Sequence, residues 1–245
     1  MRIFHGFDSL ADFGGAVVTL GSFDGVHGGH RKLLDEVITQ ARKSSGESVV
    51  MTFEPHPRIF FGRGEVSLLT SVEEKATLLE QIGVDNLIVI PFDEYFCSLD
   101  SREFLSRYVV DAIGAKMLII GYNHTFGHDR AAFEKIHELG AEYGVEVCQV
   151  SQYRSDNDKV SSTTIREAIS AGDIPRARRL LSHGYIISGY SQNNTIEITD
   201  RYKLLPANGR YSAESDSQAI VVEIADRRIS TVEGTLADGM VTIIL

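Results

Sequence analysis

The sequence contains only two cysteines, Cys97 and Cys148, and only five prolines. Two distant cysteines with no pair of histidines nearby are too few for a disulfide framework or a structural zinc site, so we expect two reduced, buried thiols. With so little proline and 43% hydrophobic residues, the chain falls outside the disordered and fibrous classes. Apolar residues nowhere run for the roughly 18 positions of a membrane span, and no basic start precedes an apolar stretch, so we expect a cytoplasmic protein.

Basic residues are also scarce, with 24 Lys and Arg against 34 Asp and Glu and a net charge of −10. Nucleic-acid binding depends on clustered basic side chains, so this balance argues against a nucleic-acid partner. A small anionic ligand needs only a local group of donors and is compatible with the charge. The 245 residues are enough for one large domain with a small appendage.

The first two thirds of the chain alternate short β-branched runs with longer helical patterns. This alternation predicts an α/β fold built on a doubly wound, Rossmann-like parallel sheet. The predicted strands are residues 16–20, 48–53, 87–91, 116–121 and 146–150. The predicted helices are residues 30–43, 72–82, 102–113, 132–143, 163–171 and 174–181.

The pattern changes from Tyr185 onward to short alternating runs separated by Asn-Asn, Asn-Gly and Asp-Gly turns. Such spacing predicts a small C-terminal antiparallel β module. We therefore predict two domains, residues 1–183 and residues 184–245, with the boundary placed where the period of the pattern changes.

A glycine-rich segment with two histidines, residues 21–30, lies between the first predicted strand and the first predicted helix. Such a turn directs backbone N–H groups and the positive end of the helix toward one point, which favours phosphate. His27 and His30 can each donate a hydrogen bond to a phosphate oxygen, and the glycines between them let the backbone approach closely. The alternative is a tight turn that carries two solvated histidines.

A second helix start, residues 159–166, combines a run of hydroxyls with basic side chains. Ser161 and Ser162 suit an N-cap, and Arg166 can reach back toward an anion held there. Taken alone, an ordinary capped helix explains the pattern. Its position after the same sheet favours phosphate, because open α/β sheets bind ligands beyond the carboxyl ends of their strands.

Four segments together resemble, in order and spacing, the FMN adenylyltransferase module of prokaryotic bifunctional riboflavin kinase/FAD synthetases, and the similarity covers residues 16–181. They are Gly-x-Phe-Asp-Gly-x-His-x-Gly-His at 21–30, Thr-Phe-Glu-Pro-His-Pro at 52–57, Gly-Tyr-Asn-His-Thr-Phe-Gly at 121–127 and Ser-Ser-Thr-x-Ile-Arg at 161–166. The His-x-Gly-His and Ser-Ser-Thr forms look like motifs of many nucleotidyltransferases. The Phe-Asp-Gly-Val-His and Pro-His-Pro forms narrow the resemblance to the flavin branch.

The resemblance implies transfer of AMP from ATP to FMN, giving FAD and pyrophosphate, with Mg²⁺ bridging the ATP phosphates and no side chain assigned to the metal. It implies catalytic roles for His27, His30 and Arg166. The implied ATP-binding residues are Gly21, Phe23, Asp24, Gly29, Asn123, Lys159, Ser161, Ser162 and Thr163. The implied flavin-binding residues are Pro55, His56, Pro57, Phe61, Phe104 and Phe126. Core packing is the alternative for Phe61 and Phe104, and a turn is the alternative for Asn123.

The sequence departs from the family pattern in several places. Asn123 stands where Asp is usual, Lys159 where Arg is frequent and Ala132 where Gly is usual. In the C-terminal module, residues 184–189 and 204–211 look like parts of a riboflavin kinase barrel. The Pro-Thr-Ala-Asn segment expected between them is missing. We therefore expect an abbreviated barrel without riboflavin kinase activity.

Two other functional classes stay open from the sequence. One is a different small-molecule nucleotidyltransferase, acting on pantetheine phosphate or a polyol phosphate, although the Pro-His-Pro segment and Phe126 argue against it. The other is a non-catalytic flavin or nucleotide sensor, which the retained His27, His30 and Arg166 disfavour. The expected partners are small molecules, and the sequence does not indicate an oligomeric state.

Overall fold

A computed structural model describes residues 1–62, 66–122, 124–155 and 158–245, and for residues 154–159 it describes backbone alone. Internal contacts divide the chain into two compact units. The sheet unit comprises Met1–Phe23, Gly29–Gly64 and Ala76–Tyr153, and the barrel unit comprises Asp24–Gly28, Glu65–Lys75 and Arg154–Leu245. The domain boundary placed after residue 183 stays a prediction.

The sheet unit is built on a six-stranded parallel sheet with the strand order β1-β4-β3-β2-β5-β6. Its strands are β1 (Arg2–His5), β2 (Val17–Leu20), β3 (Ser48–Glu54), β4 (Asn86–Pro91), β5 (Met117–Gly121) and β6 (Glu146–Val150). This topology confirms the predicted α/β fold with a parallel sheet. The sequence did not predict β1, because this edge strand is largely exposed and carries no apolar run.

The core of the sheet unit forms because the central strands are buried along most of their length. All four residues of β2 are buried, as are the first five of β3 and of β4. Continuous Val, Leu and Ile runs are typical of parallel strands covered on both faces. Apolar residues of the crossover helices, such as Ile136 and Leu139, complete this core.

Helices connect the strands, and most lie where the sequence predicts them. They are α1 (Gly28–Lys43), α2 (Pro57–Phe60), α3 (Val72–Ile82), α4 (Glu94–Ser98), α5 (Ser101–Phe104) and α6 (Phe133–Tyr143). The predicted helix 102–113 divides into α5 and a π-helical segment, Leu105–Ala112. Asp100 and Glu103 form a reciprocal capping box at the start of α5, which moves its first residue to Ser101. The short helices α2 and α4 were not predicted.

The described part of the barrel unit contains a two-stranded antiparallel sheet, helices and a closed antiparallel barrel, which confirms the predicted C-terminal β module. Its elements are β7 (Arg154–Ser155), β8 (Asp158–Lys159), α7 (Ser162–Ser170), α8 (Ile174–Leu181), β9 (Ile186–Gln192), β10 (Thr195–Glu197), β11 (Gly209–Ser215), β12 (Gln218–Ala225), β13 (Arg228–Glu233) and β14 (Gly239–Ile244). The barrel order is β10-β13-β12-β11-β14-β9. Buried residues of α7, α8 and the barrel share one apolar core.

The topology of the sheet selects one place for a ligand. β2 pairs with β3 on one side and with β5 on the other, so the strand order reverses between β2 and β5. Open α/β sheets bind ligands beyond the carboxyl ends of the strands at such a reversal. The segments that leave β2 at Gly21 and β5 at Gly121 are therefore the first places to look for a site.

Within the described residues, no helix has both the length and the apolar character needed to cross a membrane.

Candidate active site

An aromatic pocket of about 640 Å³ lies within the sheet unit. Phe53 lies near the end of β3, Phe92 follows β4, and Phe126 lies beyond β5, so the pocket is at the carboxyl edge of the sheet. The other aromatic side chains that line it are Phe61, Phe96 and Phe104. Several of these rings meet edge to face, for example Phe96 and Phe104 with centroids 5.8 Å apart. Such walls offer a flat conjugated ring a large apolar contact area.

The sequence-predicted flavin residues divide into two groups. Pro57, Phe61, Phe104 and Phe126 all line the pocket. Phe104 both lines the pocket and packs in the core of the sheet unit, so the core-packing alternative also holds for it.

Pro55 and His56 are not among the residues that line the pocket. The imidazole of His56 instead caps α2, where Nδ1 accepts a hydrogen bond from the N–H of Arg58 at 3.1 Å. Pro57 follows as the first residue of α2, a position that its fixed φ suits. His56 therefore supports the lining helix, and direct contact of Pro55 and His56 with a flavin stays a prediction.

Polar groups at the pocket carry positive or neutral charge. Arg58, His128 and Arg130 line it, and no acidic side chain does so among the described residues. His124 also lines it, and burial lowers the pKa of the His124 imidazole to about 4. Its Nε2 is buried with no hydrogen-bond partner in the described part of the chain. The pocket therefore suits an apolar ring that bears anionic or polar groups at its edge.

The sheet-unit part of the phosphate-type turn begins at Gly21, whose N–H donates to the carbonyl oxygen of Met51 at 3.0 Å. Phe23 follows with a φ of 46°, a left-handed conformation that is uncommon outside glycine. Its buried ring packs edge to face on the imidazole of His30, with centroids 5.2 Å apart. Gly29 and His30 lie in the first turn of α1. The sequence correctly places His30 at a helix N-terminus.

The barrel-unit part of the turn is organised around the buried carboxylate of Asp24. Its Oδ1 accepts hydrogen bonds from the N–H groups of Leu69 and Thr70 at 2.8 and 3.0 Å. Its Oδ2 accepts from Nη2 of Arg166. Its carbonyl oxygen accepts from Oγ of Ser162 at 3.0 Å. We call Asp24, Leu69, Thr70, Ser162 and Arg166 the Asp24 network.

The residues after Asp24 hold a strained backbone. Gly25 has a φ of 81°, and a Cβ there would come within 2.7 Å of Cδ1 of Leu69, so only glycine fits. Val26 has a φ of 41°, an outlier for a β-branched residue. Strain of this kind costs about 1–3 kcal/mol and persists where surrounding structure enforces it, as at functional sites. The turn is therefore a candidate binding loop.

His27 is buried within the barrel unit. Burial lowers the pKa of its imidazole to about 4, Arg166 and His183 act in the same direction, and Asp24 opposes them. The ring is therefore neutral at pH 7, with one N–H to donate. His183 also braces this loop, because its Nε2 lies 3.0 Å from the carbonyl oxygen of Gly25.

The second predicted phosphate segment is the N-terminus of α7. Ser161 is its N-cap and accepts from the N–H of Thr164 at 3.3 Å, which confirms the predicted cap. Thr163 is exposed in the first turn. Two predicted ATP-binding residues fall outside what the structure describes, namely Asn123 and the side chain of Lys159.

Arg166 has partners that the sequence did not indicate. Besides its ion pair with Asp24, its Nε donates to the carbonyl oxygen of Ser67 at 2.7 Å. The structure thus brings together Asp24, Ser162 and Arg166 from the predicted set. Contact of Arg166 with a phosphate stays a prediction, and its ion pair gives it a part in holding the turn.

The sequence analysis missed residues of both the aromatic pocket and the Asp24 network. Phe53 and Phe92 carried a usable signal, since aromatic residues at the carboxyl ends of parallel strands lie at the ligand edge. Leu69 and Thr70 carried none, because they act through backbone N–H groups and lie 45 and 46 residues from Asp24. No group of three or more His, Cys, Asp or Glu side chains that could hold a metal occurs among the described residues.

The parallel sheet with a glycine-rich two-histidine turn after β2 has the Rossmann-like arrangement of a nucleotide-binding domain, and the chain also contains a closed β-barrel. The family model described as FAD synthetase matches residues 10–164. The chain belongs to the FAD synthetase family.

Curated relatives agree with this family. The chain is 31% identical over 228 residues to a bifunctional riboflavin kinase/FMN adenylyltransferase of Escherichia coli strain K12, covering 87% of this chain and 73% of that protein. It is 33% identical over 191 residues to a protein of the same description from Pseudomonas fluorescens, covering 77% and 61%. A crystal structure titled "Macrolide-efflux Protein" from Streptococcus pneumoniae matches with a TM-score of 0.84 and 25% identity, over 100% of this chain and 89% of that one.

Proposed function

We propose that this protein is an FMN adenylyltransferase, which transfers AMP from ATP to FMN and releases pyrophosphate. The observation that carries the proposal is the FAD synthetase match over residues 10–164, which spans both the two-histidine turn and every residue lining the aromatic pocket. In the reaction, a phosphate oxygen of FMN attacks the α-phosphorus of ATP. The bond from that phosphorus to the bridging oxygen breaks, and pyrophosphate leaves.

The aromatic pocket is the proposed flavin site. Phe61, Phe104 and Phe126 supply apolar area for the isoalloxazine ring, and Arg58 and Arg130 supply positive charge for anionic groups. Burial of an apolar ring between aromatic walls also orients it, and orientation is the main task of an enzyme that joins two polyanions.

The two-histidine turn is the proposed phosphate site. His27, neutral at pH 7, and His30 each donate one hydrogen bond to the ATP phosphates and stabilise charge that develops at the α-phosphorus. The N-terminus of α7, with Ser161, Ser162 and Thr163, binds the β- and γ-phosphates together with Arg166. The reaction needs no nucleophilic side chain, because the acceptor phosphate is itself the nucleophile.

Mg²⁺ is proposed to enter with the nucleotide. The described residues contain no cluster of three metal ligands, and Mg²⁺ commonly binds through substrate phosphates with few protein ligands. Bound to ATP, the ion supplies charge neutralisation on the phosphates. The proposed location is the cytoplasm, which suits two free cysteines. Cys97 and Cys148 are half-buried, so the prediction that both thiols are buried is wrong.

Riboflavin kinase activity is not part of the proposal. The Pro-Thr-Ala-Asn segment expected for that activity is missing between β9 and β11, where the chain instead forms the short strand β10 and a connection to β11. The closed barrel therefore lacks a segment that the resemblance ties to nucleotide and metal binding.

One experiment tests both statements. The purified protein is incubated with Mg²⁺ and either ATP or CTP, in the presence of FMN or riboflavin, and the flavins are separated by chromatography. We expect FAD from FMN with ATP and no FMN from riboflavin. Absence of FAD would overturn the adenylyltransferase proposal, and FMN formed from riboflavin would overturn the absence of kinase activity.

The variant His30→Ala tests the catalytic assignment. Loss of one hydrogen bond to transition-state charge costs about 3 kcal/mol, so we expect FAD formation about 100-fold slower. His137→Ala, on the exposed face of α6, is the matched control and should retain the wild-type rate. An unchanged rate in His30→Ala would remove this residue from the mechanism.

A further inference from the structure

The segment Ser67–Ser71 lies in the barrel unit and makes polar contacts on two sides; we call it the bridging segment. On one side it pairs with the chain between β10 and β11. The N–H of Leu68 donates to the carbonyl oxygen of Tyr202 at 2.7 Å, and the N–H of Leu204 donates to the carbonyl oxygen of Leu68 at 2.8 Å. These bonds form an isolated parallel bridge between Leu68 and Lys203.

Lys203 fixes this side. Its ammonium donates to the carbonyl oxygen of Leu69 at 2.7 Å, to that of Ile186 at 2.7 Å and to Oε2 of Glu74 at 2.6 Å. The side chains of Lys203 and Glu74 are each only 1% exposed. The ammonium also lies 4.4 Å from the ring centroid of Tyr185. All three ammonium hydrogens therefore have acceptors, which a buried charge requires.

Glu74 connects Lys203 and the bridging segment to strand β9 of the barrel. Its Oε1 accepts from the N–H of Ser188 in β9 at 2.7 Å, and its Oε2 accepts from the N–H of Ser71 at 2.9 Å. The ion pair thus joins β9, the β10–β11 connection and the bridging segment. Buried networks in which every group has a partner hold one geometry, because any displacement leaves a polar group unsatisfied.

The other side of the bridging segment holds the Asp24 network. The N–H groups of Leu69 and Thr70 donate to Asp24, and the carbonyl oxygen of Ser67 accepts from Arg166. Oγ1 of Thr70 accepts from the N–H of Gly25 at 3.1 Å. Leu69 therefore lies between two charges, since its carbonyl oxygen binds Lys203 and its N–H binds Asp24.

We propose that Lys203 and Glu74 of the barrel unit are positioning residues for nucleotide binding, acting through the bridging segment on Asp24, Arg166 and the turn before His27. The abbreviated barrel then has a task in adenylyl transfer that does not depend on kinase chemistry. The assignment of nucleotide to this turn rests on the proposed function. The mechanical link from Lys203 to Asp24 rests on the contacts alone.

The test uses the full chain with Lys203→Met, which keeps an unbranched apolar side chain, one atom shorter, and removes the three donors of the ammonium group. Ile229→Ala, a buried apolar truncation in β13, is the control for lost stability without lost polar contacts. The pair Lys203→Met with Glu74→Gln removes both charges and serves where the single variant does not fold. For each variant we measure the thermal midpoint, KM for ATP and the hydrogen exchange of two peptides. Residues 66–72 report on the bridging segment, and residues 218–225 report on β12, which pairs with the strand that contains Ile229.

FMN binding is followed separately through Cys97, which lines the aromatic pocket and should be protected from a thiol reagent by FMN. Cys148 lies outside the pocket lining and is the internal control. In Lys203→Met we expect exchange over residues 66–72 and KM for ATP to rise about tenfold, with FMN protection of Cys97 unchanged. Ile229→Ala should lower the thermal midpoint without either rise.

Wild-type exchange over residues 66–72 in a folded Lys203 variant would overturn the link. Equal rises in Ile229→Ala at an equal loss of thermal midpoint would overturn it too, because stability alone would then explain them. If the wild type forms no FAD, the proposed function fails, and the exchange comparison still decides whether Lys203 holds the bridging segment. Faster exchange with an unchanged KM for ATP would overturn the positioning role.

Discussion

The aromatic pocket and the Asp24 network are built by opposite means. The pocket consists of side-chain surfaces, mainly Phe rings from β3, α4, α5 and the segments that follow α2, β4 and β5. Among the described residues that line it, Nε2 of His124 is the one buried polar atom without a hydrogen-bond partner. The Asp24 network consists of directional bonds, several of them to backbone N–H and carbonyl groups. The pocket is therefore held by apolar contact area, and the Asp24 network is held by the distances and directions of its hydrogen bonds.

This difference predicts how each region responds to change. Apolar contact is non-directional, so a pocket wall tolerates substitution in proportion to the area lost. Removing the buried carboxylate of Asp24 takes one acceptor from the guanidinium of Arg166, which keeps the Ser67 carbonyl, and takes the acceptor of two backbone N–H groups. Each donor left unsatisfied then costs its full desolvation free energy. The network should therefore be the more fragile region, although it contains fewer residues.

The largest expected effect is on Asp24, whose side chain is 3% exposed. Asp24→Ala leaves Arg166 and the N–H groups of Leu69 and Thr70 without this acceptor. We expect the free energy of unfolding to fall by about 3–5 kcal/mol, measured by chemical denaturation. Asp24→Asn keeps one acceptor oxygen and should lose less. A loss below about 1 kcal/mol in Asp24→Ala would remove the contrast between the two regions.

A pH titration of stability tests whether burial acts equally in the pocket and beside the Asp24 network. Burial lowers the pKa to about 4 both for His124, which lines the pocket, and for His27, which follows Asp24 in the turn. An unfolded histidine titrates near pH 6.5, so between about pH 6.5 and pH 4 the unfolded chain binds protons that the native chain does not. Above that window neither group changes the stability. Through it, each lowers the free energy of unfolding by on the order of 3 kcal/mol as the pH falls.

Two variants measure how much each histidine contributes to the decrease in the free energy of unfolding at acid pH, by denaturant titration at several pH values. His27→Gln and His124→Phe should each make the acid-side decrease shallower, and exposed His137→Gln should leave it unchanged. If the free energy of unfolding of His124→Phe fell with pH as steeply as that of the wild type, the buried imidazole of His124 would not contribute to the acid-side decrease.

Most of the fold could be predicted because its signals are local. Apolar runs located β2 to β6, and turn residues and alternation located the barrel. The edge strand β1 has no such signal, since it is formed by pairing with β4, more than 80 residues away. The periodicity of the sequence also does not separate the π-helical segment, whose Leu105 and Val109 are buried in the core, from a regular α-helix.

The site could be predicted only in part, for a related reason. His30, Ser161 and Phe126 stand in compact motifs, and their positions follow from strand ends and helix starts. The partners of Asp24 do not, because a backbone N–H carries no residue-specific pattern. Lys203 has an ordinary appearance in the sequence, and its role depends on burial beside Glu74, 129 residues away.

A smaller effect is expected at the rim of the pocket. Phe61 is 52% exposed and lines the pocket, so Phe61→Ala should weaken FMN binding by about 1 kcal/mol, roughly fivefold in Kd, with KM for ATP unchanged. Flavin fluorescence titration measures the change. Tyr190→Ala, an exposed aromatic truncation in β9, is the control. A simultaneous rise in KM for ATP would show that the two regions are not independent.

The smallest expected effect tests whether burial, rather than charge, makes the Asp24 network fragile. Asp35 pairs with Arg31 on α1 at 2.7 Å, as Asp24 pairs with Arg166, but its side chain is 53% exposed. Water and salt screen such a pair, so Asp35→Ala should cost only about 0.3–0.5 kcal/mol by denaturation, and less in high salt. A cost comparable to that of Asp24→Ala would mean that an aspartate–arginine pair is valuable wherever it lies. The expected gap between the two identical substitutions instead measures what the backbone N–H groups and the exclusion of water add at Asp24.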